Sequence, residues 1–222
     1  MTAIVADIRN KIAGSVFSKN RYGPYIRTKV TPVNPSTTAQ QTVRNRLATN
    51  SQAWRSLTQA QRDSWISAAP NFPFTDIFGN AKILSGQALY VKLNNNLAIT
   101  GTAPIATAPA PIAVPALDSI VGDVVSTTAI SFEYAPTPVP ADFALIVVAT
   151  PSVSPGKAFV KNLFRNVTAI AAAAASPQNL FSAYVAVHGI PVLGQKVFIK
   201  AFYISTTTGQ AGIPLQTVNI VS

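Results

Sequence analysis

Ten lysines and arginines fall between Ile8 and Arg62, and no acidic residue lies among them. A 55-residue stretch of that kind finds no counter-charge within itself and looks outward for it. Residues 1–102 carry twelve Lys/Arg against three Asp, a balance of +9, while residues 103–222 carry five against four acids, a balance of +1. One half of the chain therefore faces something anionic and the other does not.

The rest of the composition narrows the class. At 222 residues and 48% hydrophobic, the chain has room for one or two domains and can bury a core. Only 11% of residues are charged, below half the usual ~25%. With 17 prolines, this suits a β-rich particle component covered by neighbours better than a metabolic enzyme. The absence of cysteine removes disulfides, thiol catalysis and cysteine-based metal sites. The longest apolar run, near Ile170–Ala175, is far short of the ~20 residues of a membrane span. Asp7, Arg9 and Lys11 interrupt the first apolar stretch, so no signal peptide is read. These features describe a soluble protein made in a cytoplasm, with no membrane partner.

Pro104, Pro109, Pro111 and Pro115 punctuate a segment that reads as an extended, semi-rigid connector. The expected organisation is a basic arm and helical anchoring region over 1–102, a proline-rich linker over 103–115, and a sheet domain over 116–222. Residues 1–33 read as an extended arm or hairpin turning at Tyr22-Gly23-Pro24. Asn34-Pro35 opens a helix, with Thr37-x-x-Gln40 as a capping box and Val43, Leu47 and Trp54 at helical spacing. Thr58-x-x-Gln61 starts a second helix that Pro70 ends, and Ser85 starts a third with Leu89, Leu93 and Leu97 on one stripe. Strands are expected at Thr128–Tyr134, Phe143–Ala149, Lys161–Ile170, Leu180–Val187, Lys196–Ser205 and Ile213–Val221, with Asp118 and Asp123 flanking a loop. Six or seven strands in ~105 residues fit an antiparallel sandwich. The fold class is therefore α+β: an extended basic arm with three short helices, then a C-terminal antiparallel Ig-like β-sandwich.

Chemistry-bearing groups are sparse. There is one histidine, His188, read as an ordinary loop histidine at a strand end, and the seven acids are scattered. No phosphate loop, dinucleotide fingerprint or metal-ligand cluster is present, and Asp118 with Asp123 offer too few oxygens for calcium. The chain reads as non-enzymatic, without cofactor or metal. The binding candidates are Phe17, Lys19, Arg21, Tyr22, Tyr25, Ile26, Arg27 and Lys29 of the arm, with Arg44 and Arg46 of the first helix. Such residues can track a nucleic-acid backbone with aromatics for stacking, or lie across a neighbouring subunit with acidic patches. Trp54 and Trp65 read as core anchors.

Two resemblances add to this. Val197-x-Ile199-x-Ala201 followed by Gly209, Gly212 and Pro214 resembles the penultimate strand and turn of fibronectin type III domains, with Ile130-x-Phe132-x-Tyr134 as the second strand. Phe17-Ser-Lys-Asn20-Arg-Tyr-Gly23-Pro-Tyr25-Ile-Arg27, Pro32-x-Asn34-Pro35-x-Thr37, Gln40-Gln41, Arg44 and Leu57-Thr58-x-x-Gln61-Arg62-x-x-Trp65 resemble a family of small tailed-phage proteins. The latter resemblance implies a virion structural protein, capsid-associated or in the neck or tail, assembled in the host cytoplasm. Its partners would be other virion subunits, including further copies of itself. The rival classes are a nucleic-acid-binding protein packaged with the genome, and a carbohydrate-binding adhesin using the sandwich loops.

Overall fold

The computed structural model describes residues 9–76 and 78–222, so the first eight residues of the expected arm lie outside the described ones. The elements run β1 (Asn10–Ile12), β2 (Ser15–Asn20), β3 (Gly23–Thr28), α1 (Thr38–Ser56), α2 (Gln59–Ala68), a 3-10 turn (Ala69–Asn71), β4 (Phe74–Thr75), β5 (Ala81–Lys82) and α3 (Gly86–Thr100). They continue with β6 (Ser119–Val125), β7 (Ile130–Ala135), β8 (Phe143–Ala149), β9 (Arg165–Ile170), β10 (Gln178–Asn179), α4 (Phe181–His188), β11 (Lys196–Ser205) and β12 (Leu215–Ile220). The fold is mixed α+β, and every described strand pair is antiparallel. Two compact units divide at Thr42/Val43.

In the first unit, β1, β2 and β3 form a meander. Ala13-Gly14 turns between Ile12 and Ser15, and Arg21-Tyr22 turns between Asn20 and Gly23. The Tyr22 amide donates to Asn20 Oδ1 at 2.9 Å, fixing the second turn locally. Past β3 the pairing extends by one bond, from Lys29 N–H to the Gly14 carbonyl.

Polar caps set the helix starts, and α1 begins in the first unit and runs into the second. Thr37 and Gln40 exchange backbone and side-chain hydrogen bonds at 3.3 Å, so α1 begins after Thr37 and not at Pro35. Thr58 and Gln61 close a full capping box on α2, and Ser85 caps α3. Pro70 falls in the 3-10 turn that stops α2. The helices bury Trp65, Leu89, Tyr90 and Leu93, with the Tyr90 ring edge-on to Trp65 at 5.2 Å and tilted against Trp54 at 5.4 Å. Of the expected α1 stripe only Trp54 packs in this core; Val43 and Leu47 are exposed.

Downstream, one sheet has the order β10-β7-β6 and another β12-β11-β8-β9. Ile130, Phe132 and Tyr134 from the first share a core with Leu145, Val147, Val197, Ile199 and Tyr203 from the second. Alternation along β11 therefore turns Lys196, Phe198, Lys200 and Phe202 to the opposite face.

Four further expectations differ from the structure. Leu180–Val187 is not a strand: Phe181–His188 is helix α4, with the Phe181 N–H held by Asn179 Oδ1. Leu180, Tyr184 and His188 are spaced by four, which satisfies both a period of two and a helical turn. The loop expected around Asp118 and Asp123 is instead strand β6, starting at Ser119; the Asp123 side chain lies outside the described ones. Gly122 and a bulge between Gly122 and Val124 break the alternation of β6. A Cβ at Gly122 would sit 2.6 Å from Asn219 Oδ1, so any larger residue would displace the β12 side chain that donates to the Gly122 carbonyl. Next, β9 starts at Arg165, because Val160 and Leu163 close a turn where a strand was expected from Lys161.

The fourth difference concerns the proline segment. The contacts divide the chain at Thr42/Val43, and 103–115 is a strap on the second unit. Trp65 Nε1 donates to the Ala106 carbonyl at 2.8 Å, and the Ala108 N–H donates to Ser64 Oγ at 3.2 Å. Further on, the Ile112 N–H donates to Gln210 Oε1 at 2.7 Å. Gly209, at φ 74°, brings its backbone against the Leu93 carbonyl of α3, where any Cβ would collide. Helices and sheets are thereby one body.

Two outcomes follow for stability. Brief digestion with a non-specific protease should cut first within residues 29–37, which are exposed and outside any helix or strand, and leave 103–115 intact by mass spectrometry. Gly209→Ala should lower stability by about 2 kcal/mol or more, from left-handed strain plus the clash, measured by urea denaturation.

Candidate functional site

The register of the N-terminal meander sorts its side chains onto two faces. Lys11, Val16 and Arg27 form one cross-strand row, with Ser18 and Tyr25 the next pair on the same face. Asn10, Phe17 and Ile26 form the adjacent row, which points to the opposite face, together with Lys19 and Pro24. The sequence interleaves aromatic and basic residues, and the pleat leaves some of each on both faces: Tyr25 with Lys11 and Arg27 on one, Phe17 with Lys19 on the other. A groove of about 860 Å³ is lined by Arg9, Lys11, Val16, Ser18, Asn20 and Arg27 of the first face together with Asn10, Phe17 and Lys19, and among the described residues no carboxylate lines it. On the other face Ile12 is 57% exposed and Ile26 65%, beside the half-buried Phe17.

At the hairpin tip the Arg21 guanidinium lies 4.8 Å from the Tyr22 ring centroid, a cation–π contact on a side chain 83% exposed. Lys29 is exposed just beyond β3. Eight of the ten candidates, Phe17, Lys19, Arg21, Tyr22, Tyr25, Ile26, Arg27 and Lys29, thus belong to one hairpin sheet or its margin. Arg44 and Arg46 belong to α1 in the second unit, where Arg46 lines a shallow hollow with Ile99 and residues of β9. The sequence reading passed over Arg9, Lys11 and Ile12, because a three-residue strand is too short to show alternation. The signal that could have found them is the Ala13-Gly14 turn at one end of β2, matching the turn at the other.

His188 does not end a strand; it is the last residue of α4 and is half-buried. Its Nε2 lies 3.0 Å from the Ala149 carbonyl, so that nitrogen carries the proton. Its ring lies 5.1 Å from Tyr184, whose hydroxyl donates to the Thr150 carbonyl. Burial pushes the His188 pKa down, the Ala149 bond opposes this, and nearby Arg165 adds to the lowering. This is a structural histidine locking α4 to β8. Among the described residues no group of three or more His, Cys, Asp or Glu could hold a metal ion, and no helix is long and apolar enough to cross a membrane.

No protein-family model matches the chain, and no curated protein matches it.

The histidine gives a pH test. Its pKa is lower folded than unfolded, so below about 6.5 the unfolded chain takes up the proton more readily. Its contribution is present above that pH and is lost as pH falls through the folded value. The melting temperature should drop between pH 7 and pH 5, above the range where the carboxylates titrate, and His188→Gln should flatten that part of the profile.

Proposed function

We propose that this chain is a non-enzymatic structural component of a tailed-phage virion, attached to other virion subunits by its N-terminal hairpin. The observation that carries this reading is the meander itself: Ile12, Phe17 and Ile26 stand on one face, Arg9, Lys11 and Arg27 on the other, and the groove that Phe17 shares with these cations holds no carboxylate among the described residues. A three-stranded sheet with apolar side chains this exposed is suited to completing its core against a partner. The apolar face supplies affinity by desolvation, and the cations supply steering towards an acidic surface. The N-terminal motif resemblance gives the class of partner.

The C-terminal sheets are read in the same proposal as an Ig-like sandwich. Numbered within this half, strands one, two and five share one sheet, and three, four, six and seven the other. In that order β7 is the second strand and β11 the penultimate one, where the fibronectin-like motifs fall. What supports the reading is this agreement of strand order with motif position.

Nucleic acid is the second reading, and the cationic groove beside Tyr25 is what favours it. The two readings make different faces matter. For protein docking, Ile26→Ser and Phe17→Ala should lower incorporation into particles roughly tenfold, more than Arg27→Gln or Lys11→Gln, as measured by quantitative mass spectrometry of purified virions. If the chain binds duplex DNA instead, the ranking reverses, and log affinity falls against log salt with a slope of about −0.9 per phosphate contacted.

A further inference from the structure

The last acidic residue in the chain is Asp142, so the final 80 residues (222 − 142) hold Lys157, Lys161, Arg165, Lys196 and Lys200 and no carboxylate side chain. All four strands of the β12-β11-β8-β9 sheet lie in this stretch. Among the described residues no ion pair engages any of the five cations. On the outer side of this sheet, Lys200 sits across from Gln216 in the β11–β12 ladder. The connection that leads into β9 closes over that pair and forms a groove of about 380 Å³, lined by Phe159, Lys161, Phe164, Lys200 and Gln216. That volume lies in the range of small-ligand sites, about 300–1,000 Å³.

The lining has a division of labour. Lys200 Nζ stands 4.4 Å from the Phe164 ring centroid, so the ammonium is held in place rather than left to swing. Lys161 is exposed on the same groove, and Gln216 adds an amide with both donor and acceptor capacity. Phe159 is 72% exposed, an unusual position for a large apolar ring. A flat aromatic face beside two cations and an amide matches a ligand with three features: a flat apolar face, an anionic group and hydroxyls. We propose that this groove binds an anionic saccharide, one bearing carboxylate or sulfate groups. The sugar's C–H face lies on Phe159, its anion sits between Lys161 and Lys200, and a hydroxyl meets Gln216.

A single-stranded nucleic acid fits less well. It needs successive stacking platforms along a continuous cationic track. Here the Phe164 ring is already engaged by Lys200, and Phe159 alone stands open. The groove residues belong to the second unit and the proposed docking hairpin to the first, so the two readings can fail separately.

The test is isothermal titration of the full chain with trigalacturonate, its uncharged counterpart trigalactose, and an oligothymidylate. The expected result is salt-sensitive binding of trigalacturonate, weakened at least about tenfold by Phe159→Ala and by the Lys161→Gln/Lys200→Gln pair, with melting temperatures unchanged. Lys19→Gln/Arg27→Gln in the hairpin should leave that affinity as it is, which locates the site. Four outcomes overturn the proposal: no binding of trigalacturonate, equal binding of trigalactose, groove variants that bind as well as the parent, or oligothymidylate binding more tightly than trigalacturonate and lost in the same groove variants. Virion incorporation of the groove variants, measured in parallel, reads the docking proposal independently.

Discussion

The second unit depends on a single buried amide. Asn94 is 1% exposed on α3, and both ends of its side chain are used. Its Oδ1 accepts from the Ile105 N–H at 2.7 Å, and its Nδ2 donates to the carbonyls of Tyr90 at 3.1 Å and Ile105 at 3.2 Å. Leaving such a group unpaired in a core costs about 1–3 kcal/mol per polar atom, so the strap cannot lift without exposing the amide to that penalty. Once Ile105 is fixed, Ala106 meets Trp65 Nε1, and Ile112 is carried to Gln210 at the β11–β12 turn. The helical core and the sheets are held to each other by polar bonds to a segment whose four prolines lower the number of backbone N–H donors it must satisfy.

The sequence shows some of this and hides the rest, for identifiable reasons. Local chemistry is legible: the boxes at Thr58 and Thr37, the Ser85 cap and the leucine stripe of α3 depend on neighbours within four residues. The long apolar strands β8 and β11 are legible at both ends. Tertiary overrides are not. The strap looks like a linker because proline-rich composition describes stiffness, not what the segment rests on. α4 looks like a strand because Leu180, Tyr184 and His188 fit a period of two as well as a helical turn. β6 is hidden by a glycine whose reason, the Asn219 side chain, lies 97 residues away.

The candidate site shows the same split. Charge and aromatic content mark the right segment, since these are properties of composition. Which side chains share a face depends on two turns, Ala13-Gly14 and Arg21-Tyr22, whose exact positions set the parity of every strand residue. A shift of one residue would move Ile26 to the face of Lys11. The Phe159 groove is less legible still: Phe159, Lys200 and Gln216 are far apart in sequence, and only the strand order brings them together.

The strap also decides where this chain can be recombined with others. A joint for exchanging parts needs few bonds across it and an exposed backbone on either side. The proline segment looks like such a joint and is not one. A graft of the C-terminal sheets that starts at residue 116 would leave Gln210 without Ile112 and the Leu93–Gly209 contact without its helix. The smallest transferable piece therefore runs from α1 to the C-terminus, and the hairpin ahead of it is the part that can be replaced. Some forty residues at the front could be exchanged without touching the strap or the Leu93–Gly209 contact. The sheets can diverge only in company with their helices.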